Sequence, residues 1–261
     1  MPTAPRALLL DFGGVIVQDV HRRGWQQELA ETVHTLLVAS SAQPPAVPAI
    51  EADLAAGLDA YGSWGDGMVR PFAPVELRHE QLWADFVAAD WPPAAREVVL
   101  AHATTLTHRL GEVRHDWSVR PGMAELLADA AGRGILLAVV SNTIYGRVHR
   151  DFLERAGLAD RFAVQLYSDE AGVRKPNPEL ILRATRALSI SPRDAWFVGD
   201  TRTRDVRCGR RAGVGTTVLM RSERTRTDPA TSIEPDHEVA DPVALRTLLA
   251  GSRSQPAGAA G

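Results

Sequence analysis

Several features that define large protein classes are scarce or missing in this chain. Cys208 is its only cysteine, which excludes an internal disulfide and favours a reducing compartment. No apolar run approaches the roughly 20 residues of a membrane-spanning helix, and residues 1–6 lack the apolar stretch of a secretory signal. The net charge is only -3, so no basic surface indicates binding to nucleic acid or to an anionic membrane. We therefore expect a soluble cytoplasmic protein.

Short apolar runs alternate with helical patterns through much of the sequence. The runs are residues 7–11, 135–140, 162–167, 195–198 and 216–220. Continuous apolar runs of this length are typical of strands that are buried on both faces of a sheet. Between the runs, apolar residues recur on single helical faces. Strands that alternate with helices predict an α/β fold with a doubly wound, mostly parallel sheet.

The stretch 18–115 departs from this rhythm because it holds helical patterns only. A proline-rich joint at 43–48 and a loop rich in glycine and aromatic residues at 57–74 separate these helices. We therefore predict an all-helical cap domain at 18–115. It would be inserted into an α/β core formed by residues 1–17 and 116–250.

Other segments have ordinary structural interpretations. The polar stretch 221–236 is expected to be an exposed loop, and residues 251–261 a disordered tail. Three tryptophans of the cap stretch are expected to fill its core: Trp25, Trp83 and Trp91. His102 and His108 lack the close helical spacing of a zinc site. Residues 61–67 fit either a lid tip over a ligand or a plain loop between helices.

Polar residues follow the predicted strands at their carboxyl ends. They are Asp11, Ser141, Asn142, Lys175, Asp200 and Asp205. In open α/β sheets, ligands bind beyond these ends. Taken singly, each residue also fits a turn, a helix N-terminus or a solvated surface. Such residues after four successive strands are far less expected by chance, and they indicate one shared site.

Four stretches around these residues resemble the haloacid-dehalogenase-like superfamily. They are Leu-Leu-Leu-Asp-Phe-Gly-Gly-Val at 8–15, Val-Val-Ser-Asn at 139–142, Gly-Val-Arg-Lys-Pro-Asn-Pro-Glu at 172–179 and Phe-Val-Gly-Asp-Thr-Arg-Thr-Arg-Asp at 197–205. The resemblance covers 7–17 and 116–250. It implies the Rossmann-like core of that superfamily, with a helical cap after the first strand. The stretch 235–239 also looks like members of the sugar-phosphate phosphatase branch.

This resemblance implies a phosphatase that hydrolyses a small phosphorylated metabolite with Mg²⁺. Asp11 would be the nucleophile that becomes an aspartyl phosphate, and Lys175 would neutralise both the nucleophile and the phosphate. The Ser141 hydroxyl and the Asn142 backbone N–H would bind the transferring oxygens. The implied metal ligands are Asp11, the backbone carbonyl of Gly13, Asp200 and Asp205. A cation suits this chemistry, since a carboxylate and a phosphate 4 Å apart repel by roughly 4 kcal/mol at a dielectric of 20.

Position 13 departs from most phosphatases of the superfamily, which carry an Asp there as general acid and base. Gly13 keeps a carbonyl for the metal but offers no proton donor, and such catalysis typically contributes about 10²- to 10⁴-fold. Some members with Gly here, such as bacterial glucose-1-phosphate phosphatases, resemble working phosphatases. The sequence therefore predicts either a leaving group that needs little protonation or a substitute acid. Asp19 and His21 are the candidates, although each alone also fits an ordinary surface position.

Three alternatives stay open at this point. A dehalogenase of the superfamily needs no metal, and the pair Asp200 and Asp205 argues against it. A sugar-phosphate mutase needs the acid that is missing at position 13. A degenerate binding or regulatory domain belongs to another class, and the joint presence of Asp11 and Lys175 with both later aspartates argues against it. No motif specifies the metabolite or the oligomeric state.

Overall fold

The centre of the molecule is a parallel sheet. A computed structural model describes residues 2–40 and 42–253 of the chain. Its strands are β1 (Ala7–Leu10), β2 (Val17–His21), β3 (His115–Val119), β4 (Leu136–Ser141), β5 (Val164–Tyr167), β6 (Ala195–Gly199), β7 (Thr216–Met220) and β8 (His237–Val239). Six of them form one sheet in the order β5-β4-β1-β6-β7-β8, and every neighbouring pair is parallel. The five predicted strands are confirmed, whereas the three-residue β8 is too short to stand out in the sequence.

Helices surround this sheet and fill the stretch between β2 and β3. They are α1 (Trp25–Ala39), α2 (Val47–Gly67), α3 (His79–Leu82), α4 (Pro93–Ala101), α5 (Ala103–Arg114), α6 (Met123–Gly132), α7 (Gly146–Arg155), α8 (Ser168–Ala171), α9 (Glu179–Ala187), α10 (Arg207–Ala212), α11 (Glu223–Thr227) and α12 (Pro242–Ala250). π-Helical turns span Trp83–Val87 and Arg202–Val206, and 3₁₀ turns span Ala159–Arg161 and Pro192–Asp194.

The two faces of the sheet bury different halves of the same strand. Leu8 and Leu10 of β1 pack in one apolar cluster with residues of α6 and α12, and Ala7 and Leu9 pack in another with residues of α9 and α10. Successive side chains of a strand point to opposite faces, so a strand covered on both sides is apolar throughout. This explains why β1 reads as a continuous apolar run, and it confirms the doubly wound α/β fold.

Helices α1 to α5 have an apolar cluster of their own. It contains the three tryptophans expected there, Trp25, Trp83 and Trp91, each of which is buried. The prediction that 18–115 holds helices only is wrong at its two ends. There Val17–His21 pairs antiparallel with His115–Val119, so a two-stranded ribbon connects the helices to the sheet region. The β2 segment alternates polar and apolar residues too briefly for its pairing to be recognised without its partner.

The loop predicted at 57–74 is also wrong over much of its length. Helix α2 continues to Gly67, so residues 61–67 form its last turns. A Cβ on Gly57 would lie only 2.7 Å from the carbonyl oxygen of Phe86, and the missing side chain lets the two backbones approach closely. The packing of buried Leu54 and Leu58 outweighs the weak helix propensity of the glycines. Only residues 68–78 form the connection to α3.

Two predictions for the C-terminal part need adjustment. The stretch 221–236, expected to be a loop, contains the short helix α11. Of the predicted tail 251–261, residues 254–261 lie outside the described part of the chain. Arg253 is bound to the N-terminal segment, since its N–H donates to the Pro2 carbonyl. Among the residues described, no helix has both the length and the apolar character that a bilayer crossing requires.

Candidate active site

A buried lysine lies between two carboxylates at the carboxyl edge of the sheet. The Nζ atom of Lys175 is 2.8 Å from Asp11 Oδ1 and 2.8 Å from Asp205 Oδ1. Only 2% of the Lys175 surface and 6% of the Asp11 surface are exposed. Buried charges of this kind require close partners. The structure thus brings together three residues that lie far apart in the sequence.

Strand ends and tight turns position the two aspartates. Asp11 follows β1 directly, its N–H donates to the Val198 carbonyl of β6 at 2.9 Å, and its Oδ1 accepts from the Phe12 N–H at 2.8 Å. Asp205 lies in the π-helical turn after β6, where its Oδ2 accepts from the N–H and the hydroxyl of Thr201 at 3.0 and 2.6 Å. The protein's own hydrogen bonds therefore hold both carboxylates in place.

The surroundings shift the pKa values of the three carboxylates in different directions. Burial raises the pKa of Asp11 above its usual range and outweighs the opposing effect of Lys175. Burial also raises the pKa of Asp200, to about 6. Burial acts in the same direction on Asp205, but there Lys175 and Arg204 prevail and lower the pKa to about 2. The pKa of Lys175 is raised, because Asp11 and Asp205 outweigh the effect of its burial, so its ammonium stays charged.

The acidic residues of this cluster fit a hard divalent cation. Asp11, Asp200 and Asp205 each offer a carboxylate oxygen, and these oxygens lie within 4.8 Å of one another. Asp200 is fully buried, and its Oδ1 has no hydrogen-bond partner among the residues described. Its Oδ2 accepts from the Ser222 hydroxyl at 2.7 Å and lies where a Cβ on Gly14 would stand. Oxygen ligands with unused lone pairs suit Mg²⁺, and a buried carboxylate with a free oxygen is otherwise costly.

Ser141 is the last residue of β4, and Asn142 follows it. Both residues line the same cleft as Gly13 and Asp200. The amide side chain of Asn142 is hydrogen-bonded to the backbone of Lys175. The ligand-binding role expected from the sequence uses a different part of Asn142, its backbone N–H. The hydrogen bonds of the Asn142 amide were not predicted, because no sequence signal links it to position 175.

The cleft lies between helices α2 and α5 on one side and the end of the sheet on the other. It has a volume of about 1100 Å³, and its walls include Tyr61 and Gly65 of α2 as well as Gly13 and Asp200 of the core. Cavities of roughly 300–1,000 Å³ are typical of sites for small molecules. The last turns of α2 thus line the same cleft as Asp200 of the acidic cluster.

Asp19 and His21 lie on β2 and line this cleft. Asp19 accepts from Nδ1 of His115 at 2.8–2.9 Å, and the Nε2 atom of the same ring is 2.5 Å from the Tyr145 hydroxyl. Burial opposes ionisation of Asp19, but the His115 hydrogen bond prevails and lowers its pKa. Burial and the nearby Arg114 lower the pKa of His21. Near neutral pH, Asp19 therefore has no proton to donate and His21 is mostly neutral.

Arg224 is a further cleft residue that the sequence analysis missed. It belongs to α11, in the stretch predicted to be an exposed loop. Its guanidinium nitrogens lie 3.4 and 3.5 Å from the position that a Cβ on Gly13 would take. Gly13 thus lacks the carboxyl that most phosphatases of the superfamily carry at this position, and its missing side chain leaves space for the Arg224 guanidinium. An arginine in a polar stretch gives no sequence signal of such a contact.

Comparison with known proteins agrees with this geometry. The haloacid dehalogenase-like hydrolase family matches residues 5–213. The chain is 33% identical over 179 residues to phosphoserine phosphatase from Thermus thermophilus, covering 62% of this chain and 70% of that protein. It is 34% identical over 128 residues to N-acetylmuramic acid 6-phosphate phosphatase from Pseudomonas putida, covering 49% and 56% of the two chains. The chain therefore spans just over half of the second relative.

Solved structures share the fold at lower identity. A HAD phosphatase from Thermococcus onnurineus has a TM-score of 0.58 at 21% identity, covering 95% of this chain and 99% of that one. A 2-haloacid dehalogenase from Pseudomonas syringae has a TM-score of 0.58 at 18% identity, covering 96% and 99%. The fold alone does not separate these two chemistries. Together with the family match, the sheet and its acidic edge establish that this chain belongs to the haloacid dehalogenase-like hydrolases.

Proposed function

We propose that the protein is a magnesium-dependent phosphatase that hydrolyses a small phosphorylated metabolite through an aspartyl phosphate on Asp11. The observation that carries this proposal is the buried contact of Lys175 with Asp11 and Asp205, with Asp200 in the same cluster. The names of the relatives from Thermus thermophilus and Pseudomonas putida, both phosphatases, support the same reaction class.

In this mechanism, a carboxylate oxygen of Asp11 attacks phosphorus while the bond from phosphorus to the leaving oxygen breaks. Water then attacks the aspartyl phosphate, which releases inorganic phosphate and restores the carboxylate. Lys175 neutralises charge on Asp11 and on the incoming phosphate, and its contact with Asp205 keeps the ammonium in place. The Ser141 hydroxyl and the Asn142 backbone N–H would bind phosphate oxygens, since both residues border the cleft.

The residues that would hold Mg²⁺ are Asp11, Asp200 and the backbone carbonyl of Gly13, with Asp205 nearby. When bound, the ion would neutralise charge on the phosphate oxygens and orient them toward Asp11. The acidic pair after β6 favours this reaction over metal-free dehalogenation. Asp200 has a buried oxygen that accepts no hydrogen bond from the described residues, and a reaction without a cation would leave it unsatisfied.

We also propose that residues 18–115 act as the cap of this site. Their helices share one apolar cluster, and the end of α2 forms a wall of the cleft. A cap that closes over the site excludes macromolecular substrates, which favours a small metabolite. The residues of the cleft wall would then select the substrate.

The test is release of inorganic phosphate from a panel of small phosphorylated metabolites, with Mg²⁺ and with chelator. Asp11→Asn should abolish turnover, because it removes the attacking charge, while the fold stays intact. Asp116→Asn, at an exposed position, is the matched control and should keep full activity. Turnover of Asp11→Asn within about tenfold of wild type, a barrier change of only about 1.4 kcal/mol, would contradict the covalent mechanism. Full activity in chelator would contradict the metal requirement.

A further inference from the structure

Two arginines of the cleft lack the partners that the other arginines have. Seven arginines line the cleft, and three of them form ion pairs: Arg174 with Glu76, Arg221 with Glu238 and Arg226 with Glu223. Arg120 and Arg204 donate to carbonyl or hydroxyl oxygens. Within the described part of the chain, the guanidinium groups of Arg114 and Arg224 form neither a hydrogen bond nor an ion pair with any group.

The two unpaired guanidinium groups come from different parts of the molecule. Arg114 ends α5, where it is half-buried, its Nε is inaccessible to solvent and its Cζ lies 5.4 Å from the centroid of the Trp25 ring. Arg224 comes from α11 on the sheet side, and its guanidinium lies beside Gly13. One cation is thus supplied by the cap helices and the other by the core, next to the loop that carries the nucleophile.

Among the described residues, no carboxylate pairs directly with either arginine. The nearby Asp19 carboxylate is occupied by the Nδ1–H of His115. Burial lowers the pKa of both His21 and His115, and Arg114 and Arg224 lower each of them further. The charges of both arginines therefore disfavour protonation of the same two histidines. Burial opposes the charge of Arg224, but Asp200 and Asp11 prevail and raise its pKa, so the guanidinium stays charged although neither carboxylate forms an ion pair with it in the described part of the chain.

We propose that Arg114 and Arg224 form a subsite that binds a second anionic group of the substrate, a carboxylate or another phosphate. Guanidinium groups match such anions in planar, bidentate geometry. Arg114 is half-buried and its inaccessible Nε has no partner, which is costly unless a ligand completes it, whereas Arg224 is exposed and its guanidinium is accessible to a ligand in the cleft. Arg224 lies beside Gly13, the position at which most phosphatases of the superfamily carry the acid that protonates the leaving group, so the anion would belong to the leaving group. The substrate class is therefore a phosphomonoester whose leaving group is itself an anion.

This inference rests on the proposed phosphatase function, and a binding measurement separates the two. The probes are (phosphonooxy)alkanoates of two to four carbons, each paired with its neutral amide, and the matching bisphosphates. Wild type should prefer at least one acid over its amide by about tenfold or more in kcat/KM, mainly through KM, because each charged hydrogen bond is strong. The Asp11→Asn protein, which cannot turn substrate over, should show the same preference in dissociation constants.

Arg114→Gln and Arg224→Gln should each remove most of this preference by weakening only the acid or the bisphosphate. Arg226→Gln is the matched control, since it removes an equal charge from the same helix but from an arginine already paired with Glu223. Whether the carboxylate or the bisphosphate probe loses more identifies the anion that is bound. Equal loss for acid and amide in both variants would overturn the subsite, as would wild type without any preference. Binding preference without turnover would contradict the phosphatase proposal alone.

Discussion

The side chain of Asn142 is hydrogen-bonded at both ends to the backbone of Lys175. Its Nδ2 donates to the Lys175 carbonyl at 3.0 Å, and its Oδ1 accepts from the Lys175 N–H at 2.7 Å. These bonds connect the end of β4 to the segment that precedes α9. They hold the Lys175 backbone in the position from which its side chain reaches Asp11 and Asp205. Asn142 is therefore a positioning residue for the Lys175 ammonium.

Replacing Asn142 should therefore affect Lys175 without removing it. Asn142→Ala loses both hydrogen bonds, and we expect a loss of about 1–3 kcal/mol in stability together with at least a tenfold loss in kcat. Asn142→Asp still accepts from the Lys175 N–H but cannot donate to the Lys175 carbonyl. The stability of this variant should therefore lie between those of wild type and Asn142→Ala. Urea unfolding and steady-state kinetics measure both effects. Wild-type kcat in Asn142→Ala would show that Lys175 needs no such support.

Burial of Asp200 leads to a prediction about stability and pH. Because burial raises its pKa from the usual 3.8 to about 6, the contribution of Asp200 to stability is fully present below about pH 4 and is lost as pH rises through about 6. The magnitude is about 3 kcal/mol at most in the metal-free protein. Asp200→Asn carries no charge at any pH. In chelator, it should match wild type near pH 4 and be more stable by up to this amount at pH 8.

Magnesium should make wild type more stable than Asp200→Asn at pH 8. The ion binds the ionised carboxylate and stabilises wild type by mass action, whereas Asp200→Asn loses a ligand and should gain little. Urea midpoints at pH 4 and pH 8, with chelator and with Mg²⁺, test this, and Asp116→Asn at an exposed position is the control. If Asp200→Asn is less stable than wild type at pH 8 in chelator, burial does not disfavour the Asp200 carboxylate as argued.

The sequence predicts the central strands well, because a single physical cause, burial on both faces of the sheet, determines their composition. β1, β4 and β6 are buried on both faces, so each appears as a continuous apolar run. The carboxyl ends of neighbouring parallel strands lie at the same edge of the sheet, which is why the sequence alone predicts Asp11 and Asp200 in one site. The contacts of Lys175 with Asp11 and Asp205 agree with that expectation.

The rest depends on contacts between segments that no local pattern encodes. The glycines near the end of α2 predict a loop, but the packing of Gly57 against Phe86 supports a helix. The hydrogen bond of Asp19 with His115 depends on the register of the β2–β3 ribbon, and a single residue of slippage would undo it. Arg224 reaches Gly13 only because the chain after β7 returns to the carboxyl edge of the sheet.

The two neighbouring glycines after the nucleophile should respond very differently to alanine. Gly14 has a φ of +77°, and a Cβ there would lie 2.0 Å from Asp200 Oδ2. Gly14→Ala should therefore strain the loop by about 1–2 kcal/mol and displace the Asp200 carboxylate, which weakens Mg²⁺ binding. Gly13 lies outside the positive-φ region, and the atoms nearest to its added Cβ are those of the Arg224 guanidinium, at contact distance. Gly13→Ala should fold and bind Mg²⁺ like wild type, as calorimetric titration would show; equal effects of both substitutions would contradict this difference.

The missing acid at position 13 should appear in the dependence of rate on the leaving group. Asp19 is held ionised by His115 and His21 is held neutral, so neither is expected to donate a proton near neutral pH. Wild type should then cleave aryl phosphates much faster than alkyl phosphates, and Asp19→Asn and His21→Gln should leave that slope unchanged. The measurement is kcat/KM over phosphates of graded leaving-group pKa, chosen without a second anionic group.

Gly13→Asp should restore the acid only in part, because Arg224 lies beside the new carboxyl and holds it ionised. The double variant Gly13→Asp with Arg224→Gln should therefore accelerate alkyl phosphates more than the single variant does. A gain of about 10²-fold for alkyl over aryl substrates is within the range of general acid catalysis. Gly13→Ala is the control for the added Cβ and should leave the slope steep. A shallow slope in wild type that becomes steep in Asp19→Asn or His21→Gln would instead identify that residue as the proton donor and contradict the assignment made here.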